Sequence, residues 1–146
     1  MVKHHKAYEL GIHQMVAARH LNTFRGRILS KHELTSAEWL VLGLASSKTA
    51  NGGIRVTDLA EVFGVKTTYI TALLNTLRSK QFVETKSDPR DARVRLIVAT
   101  KKGQKTIQAV EKRMNSDLRG LLGNDFGQQD IDTFGNVLEG LSQIDV

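Results

Sequence analysis

Between Lys66 and Arg78 the chain alternates short hydrogen-bonding side chains with aliphatic ones at a helical period. Ile70, Leu73, Leu74 and Leu77 fall at i, i+3, i+4 and i+7, which makes one apolar face, and Lys66, Thr67, Thr68, Tyr69, Thr71, Asn75, Thr76 and Arg78 occupy the other. Hydroxyl, amide and guanidinium groups of this kind hydrogen-bond base edges and phosphates without bulk. A second cluster follows, with Lys86, Arg90, Asp91, Arg93 and Arg95 in a β-rich stretch broken by a turn. Its chemistry is that of a polyanion contact. Asp88 and Asp91 lie close together there, but an exposed turn among arginines keeps both ionised and unsuited to general acid catalysis.

The elements needed to hold these groups are legible around them. A helix is expected to open at Thr57, whose hydroxyl suits an N-cap, and to run through Asp58-Leu59-Ala60-Glu61-Val62-Phe63 to a turn at Gly64. The polar helix follows over about 67–79. Phe82–Lys86 and Val94–Ala99 read as strands separated by Ser87–Arg93, with the only proline, Pro89, in the turn, where its fixed φ helps and its missing amide does no harm. Ile54-Arg55-Val56 is expected to add a short strand to this hairpin. The fold class is therefore mostly α with a small antiparallel β-wing, a winged helix-turn-helix.

Composition narrows the function classes. A chain of 146 residues with 40% hydrophobic residues buries one good core, and the absence of cysteine excludes disulfides and thiolate metal sites. No secretory signal and no apolar run of membrane-spanning length is visible, so a cytoplasmic protein with no membrane partner is expected. Net charge is +6, unevenly spread: +5 over residues 1–56, +5 over 57–105 and −4 over 106–146. A basic centre with an acidic tail points the centre toward a polyanion.

In chain order, a first long helix is expected from Lys6 to Leu29, with Leu10, Gln14, Ala17, Leu21, Phe24 and Ile28 forming a narrow seam suited to packing on another helix. His5, Glu9 and His13 share one of its faces; with no further ligand nominated they read as solvated groups and no metal site is assigned. Thr35 and Glu38 have the capping-box spacing ahead of a largely buried helix through Leu44. Trp39 there reads as core packing first and as the wall of a ligand pocket second. Ser46–Gly53 is a polar, glycine-rich loop. From Thr100, a candidate N-cap, a helix is expected to about Leu122, a break at Gly123-Asn124, and a last helix over about 128–142 presenting Ile131, Phe134, Val137, Leu138 and Leu141.

These residues together resemble the MarR (multiple-antibiotic-resistance regulator) family of bacterial winged-helix transcription regulators over nearly the whole chain. Leu34-Thr35, Thr57-Asp58-Leu59-Ala60, Val65, Ile70-Thr71 and Leu73-Leu74 carry the resemblance. The wing pattern Asp88-Pro89, Asp91-x-Arg93, then Thr100-Lys101-Lys102-Gly103 is its most specific part. The chain departs from the pattern at Gln81, where glycine is usual, at Ala99 and at Thr85.

The resemblance implies one chain over 1–146, with dimerisation helices at 6–30 and 123–146, a DNA-binding lobe over 34–100 and a connecting helix over 101–122. It further implies a homodimer held by Leu10, Ala17, Leu21, Phe24, Phe134, Leu138 and Leu141, and a double-stranded DNA partner read by the 66–78 helix and gripped by the wing. Arg93 matches the family's wing arginine and is expected in a minor groove with Asp91 orienting it. A repressor released by a small aromatic or phenolic ligand is the implied activity, with no cofactor. An enzyme is the main rival; no P-loop, dinucleotide fingerprint, HExxH or Gly-x-Ser-x-Gly supports it. A winged helix for RNA or protein partners is a third reading, disfavoured for RNA by Tyr69 being the only aromatic on the outward face.

Overall fold

The computed structural model describes residues 4–145. Helix α1 spans Ala7–Leu29 and ends in a 3-10 turn, Ser30–His32; α2 is Ser36–Thr49, α3 Val56–Phe63 and α4 Thr67–Ser79. Strands β1 (Val83–Asp88) and β2 (Asp91–Ala99) form an antiparallel hairpin, followed by α5 (Lys101–Leu122) and α6 (Gln128–Ser142). The chain divides into two compact units between Lys112 and Arg113, inside α5.

In the first unit the core is built from the buried faces of every element. Leu29, Leu42, Ala45, Leu59, Ile70, Leu77 and Val110 are fully buried, and Leu96–Ala99 of β2 join them. The expected apolar face of α4 is realised: Ile70, Leu74 and Leu77 are buried and Leu73 half-buried. The capping box of α2 forms as its spacing requires, with Glu38 N donating to Thr35 Oγ1 (3.2 Å) and Thr35 N to Glu38 Oε2 (2.8 Å). In the second unit, α6 follows the αL residue Gly123, and Phe134, Val137, Leu138 and Leu141 of α6 are exposed.

Four boundaries differ from those expected. Ile54 makes an isolated bridge to Ile97 rather than a strand with Val56. That bridge holds Arg55 extended (ψ 153), so α3 opens at Val56 with Arg55 as N-cap, and Thr57 is not the cap. Helix α2 continues through the expected loop to Thr49, whose hydroxyl bonds back to Ala45 O (2.8 Å) and also takes Ala99 N of β2 (2.9 Å), tying the last turn to the hairpin. The strands reach Asp88 and Asp91, leaving only Pro89-Arg90 as the turn, with an irregular register at Ser87/Asp88.

The Thr100…Gly103 pair has a packing reason. Thr100 Oγ1 accepts from Gly103 N (3.0 Å) as the N-cap of α5 and donates to Gln81 O (2.7 Å), while Thr100 N donates to Phe82 O (3.0 Å). The start of α5 is thereby drawn onto the Phe82 carbonyl, which a Cβ at position 103 would strike. Gly103→Ala should therefore destabilise the protein by up to about 2 kcal/mol, an overpacking cost of roughly 1–3 kcal/mol less the ~1 kcal/mol that alanine gains in a helix. Urea unfolding checks this; an alanine variant at least as stable as wild type contradicts the close approach.

Candidate nucleic-acid interface

Helix α3, the turn at Gly64 and α4 make the helix-turn-helix. Gly64 is left-handed (φ 62), and its neighbour Val65 N reaches back to Ala60 O at 3.0 Å, closing the turn. Lys66 is extended and serves as N-cap of α4, whose outward residues Thr67, Thr68, Tyr69, Thr71, Asn75, Thr76 and Arg78 are all exposed. Some of their groups are already engaged: Thr71 Oγ1 donates to Thr67 O (2.9 Å), and Arg78 donates to Asn75 Oδ1 (2.9 Å).

At the far end of α4 the chain turns through Gln81 in the left-handed region (φ 63), the position where the family pattern has glycine. Lys80 secures this end. Its ammonium lies 3.0 Å from both carboxylate oxygens of Glu38 and 2.7 Å from Glu33 O. Glu38 is only 3% exposed. Burial pushes its carboxyl up, but the Thr35 amide, the Lys80 ammonium and the Thr35 hydroxyl outweigh it and hold the group below its ordinary value. Sequence reading found Glu38 as a capping residue and missed the ion pair, whose partners lie far apart in the chain.

In the wing, Lys86, Arg90, Asp91, Arg93 and Arg95 are exposed on the hairpin. Asp88 accepts from Arg90 N (2.9 Å) and from the Arg90 guanidinium (3.3 Å), and these contacts, against some burial and with help from Arg55, hold its carboxyl below the usual carboxylate range. Lys86 pairs with Glu84 (3.4 Å), and Arg95 donates to Ser87 Oγ (2.9 Å). Asp91 does not pair with the Arg93 guanidinium as expected: its Oδ1 takes the backbone amide of Arg93 (3.0 Å). A carboxylate two residues before an amide closes an Asx-type turn more readily than it reaches the long side chain. Among the described residues the Arg93 guanidinium makes no hydrogen bond or ion pair, so that cation stands unneutralised on the wing.

Of the other expected sites, Leu10 and Ala17 are exposed on α1, whereas Leu21 and Phe24 are half-buried. Trp39 is half-buried, and it does not line the open cleft of about 440 Å³ formed by His32, Lys101, Lys102, Lys105, Thr106 and Ala109. His5 and His13 meet edge to face with ring centroids 6.1 Å apart. No group of three His, Cys, Asp or Glu suited to a metal ion occurs among the described residues, and no described helix is long and apolar enough to cross a membrane.

The arrangement is that of known winged-helix proteins. Residues 34–94 match the MarR family. Over 105 residues the chain is 30% identical to the transcriptional activatory protein BadR of Rhodopseudomonas palustris, a match covering 72% of this chain and 60% of that protein. The chain thus spans about three fifths of the length of that relative. Among solved structures, CouR from Rhodococcus jostii RHA1 bound to p-coumaroyl-CoA superposes with a TM-score of 0.78 at 18% identity, covering 94% of each chain. The S. aureus MepR–DNA complex gives 0.73 at 16% identity, covering 96% of this chain and 97% of that one. At these identities the structural likeness carries the fold.

The Glu38–Lys80 contact yields a test of how the end of α4 is held. Glu38→Gln keeps the shape and removes the charge, and should lower the unfolding free energy at pH 7 by about 1–3 kcal/mol. A carboxyl whose folded value is lowered contributes stability that is full above its unfolded value, about 4.5, and lost as pH falls through the folded one. The gap between wild type and variant should therefore close in acid. Urea titrations across pH measure it, and a gap that persists undiminished at acid pH contradicts the pair.

Proposed function

We propose that this chain, which belongs to the MarR family through its residues 34–94, is a sequence-specific duplex-DNA-binding transcription regulator that works as a homodimer. The observation that carries the reading is the exposed polar face of α4 beside a hairpin whose Arg93 guanidinium has no hydrogen-bond or ion-pair partner among the described residues. A helix of this diameter fits the major groove of B-DNA, where hydroxyl and amide groups read base edges. The wing arginine then suits the flanking minor groove, where narrow A·T-rich sequence concentrates negative potential.

Dimerisation is supported by apolar surface at both ends of the chain. Leu10 and Ile12 on α1 and Phe134, Val137, Leu138 and Leu141 on α6 are each about half exposed or more, an arrangement that costs free energy unless covered. A twofold partner would present a second lobe and match a palindromic operator. Occupancy of an operator overlapping a promoter suffices for repression, so repression is the proposed mode. The likeness to CouR, which was solved with p-coumaroyl-CoA, supports release by a small aromatic or phenolic ligand. Nothing in the residues described supports catalysis, and the family and fold neighbours are transcription regulators.

Helix and wing should separate on mutation. Asn75→Ala should relax preference at one or two operator positions, worth about 1–3 kcal/mol each where a base contact is lost. Arg93→Ala should weaken binding across operator variants, flatten any preference for A·T-rich flanks and reduce the salt slope by about one, with an unchanged melting temperature. Equilibrium binding in a salt series reads both; an Arg93→Ala protein that binds like wild type contradicts the wing assignment.

The assembly has its own test. Leu138→Glu places a charge on the exposed apolar face of α6 and should yield monomers by sedimentation, with loss of tight operator binding because the half-sites are no longer linked. A monomeric wild type with full affinity contradicts the dimer.

A further inference from the structure

Arg78, at the end of the recognition helix, is tied on two sides. Its Nη1 donates to Asn75 Oδ1 one turn earlier at 2.9 Å, and its Nη2 donates to Thr85 Oγ1 on β1, also at 2.9 Å. A guanidinium is a planar fork, so holding both of its ends fixes its plane. Thr85 lies on the same face of β1 as Val83 and pairs in register with Ile97, both core residues; Thr85 itself is exposed and turns its hydroxyl to α4. The hydroxyl of Thr85 is thus carried by a strand whose neighbouring residues are anchored in the core, while Asn75 and Arg78 remain exposed to a partner.

We propose that Thr85 is a positioning residue for sequence readout: through Arg78 it fixes the Asn75 amide with its NH2 outward, so that this end of the helix selects guanine or thymine over adenine. The inference rests on the DNA-binding reading above. An asparagine reads adenine by accepting from N6 and donating to N7 together, which takes both ends of the amide. Here the oxygen end is held by a charge-assisted bond, and turning the amide over would set its NH2 against the guanidinium, donor against donor. What the pair offers a base is hydrogen-bond donors, which guanine O6 and N7 or thymine O4 match; adenine also has an acceptor at N7, but its N6 amino group needs an acceptor beside it, and the Asn75 oxygen is already taken.

Thr85→Val removes the hydroxyl and keeps a β-branched side chain at an exposed strand position; Thr85→Ser keeps the hydroxyl. Both are assayed with Asn75→Ala and wild type against every single-base variant of the duplex that wild type selects. Thr85→Val should lose roughly fivefold of discrimination, the scale of one hydrogen bond, at the positions that Asn75→Ala relaxes. Those positions should be guanine or thymine, Thr85→Ser should restore the preference, and the melting temperatures should agree. A wild-type profile for Thr85→Val, a change at other positions, or adenine at the shared ones overturns the inference while leaving DNA binding intact. A wild type that selects no duplex overturns the DNA-binding reading and this inference with it.

Discussion

The ammonium of Lys80 is where the lobe is fastened. It sits 3.0 Å from each oxygen of a nearly water-free Glu38 carboxylate and 2.7 Å from Glu33 O, while the carbonyl of Lys80 takes the Lys102 ammonium at 2.8 Å. A buried carboxylate left without a partner is costly, so the start of α2 and the end of α4 are held to one another. Lys102 adds the first turn of α5 to the same point and also lies over the Phe82 ring, 5.0 Å from its centroid. The left-handed Gln81 and the cap at Thr100 bracket the hairpin at this junction. Every residue proposed to meet DNA is positioned relative to that fastening.

The division of labour between core and surface follows from it. Beneath α4, Ile70, Leu74 and Leu77 are buried and fix its rotation, so its polar residues face outward by necessity of the helical period. The wing is stiffened differently, by polar closure of its tip: Asp88 binds Arg90 and Asp91 binds the amide of Arg93. The carboxylates thereby satisfy backbone and one arginine, and the Arg93 guanidinium is left without a partner among the described residues. In sequence, the acidic excess falls beyond residue 105, outside the segment that carries α4 and the wing.

Much of this was legible in the sequence where the signal is local. The period of α4, the capping box at Thr35 and Glu38, the Gly64 turn, the proline in the wing turn and the break at Gly123 each act within a few residues and were found at their places. Boundaries failed where a distant contact decided them. The Ile54–Ile97 bridge moved the start of α3, and Thr49, whose hydroxyl also accepts from Ala99 N at 2.9 Å, kept α2 going past its expected end. The Glu38–Lys80 pair and the Arg78–Thr85 bond join different elements and leave no spacing signal. Arg93 was found by its pattern, but its relation to Asp91 depended on whether amide or guanidinium won the carboxylate, which only the turn geometry decides.

The central claim is that two lobes of this kind read duplex DNA as a symmetric pair. Selection of bound fragments from the genome of the source organism, with the full chain at near-physiological salt, tests it most directly. The account predicts convergence on an imperfect palindrome with half-site centres about one helical turn, ~10 base pairs, apart. Recovery of fragments without a shared sequence, or of single-stranded nucleic acid in preference to duplex, would contradict it.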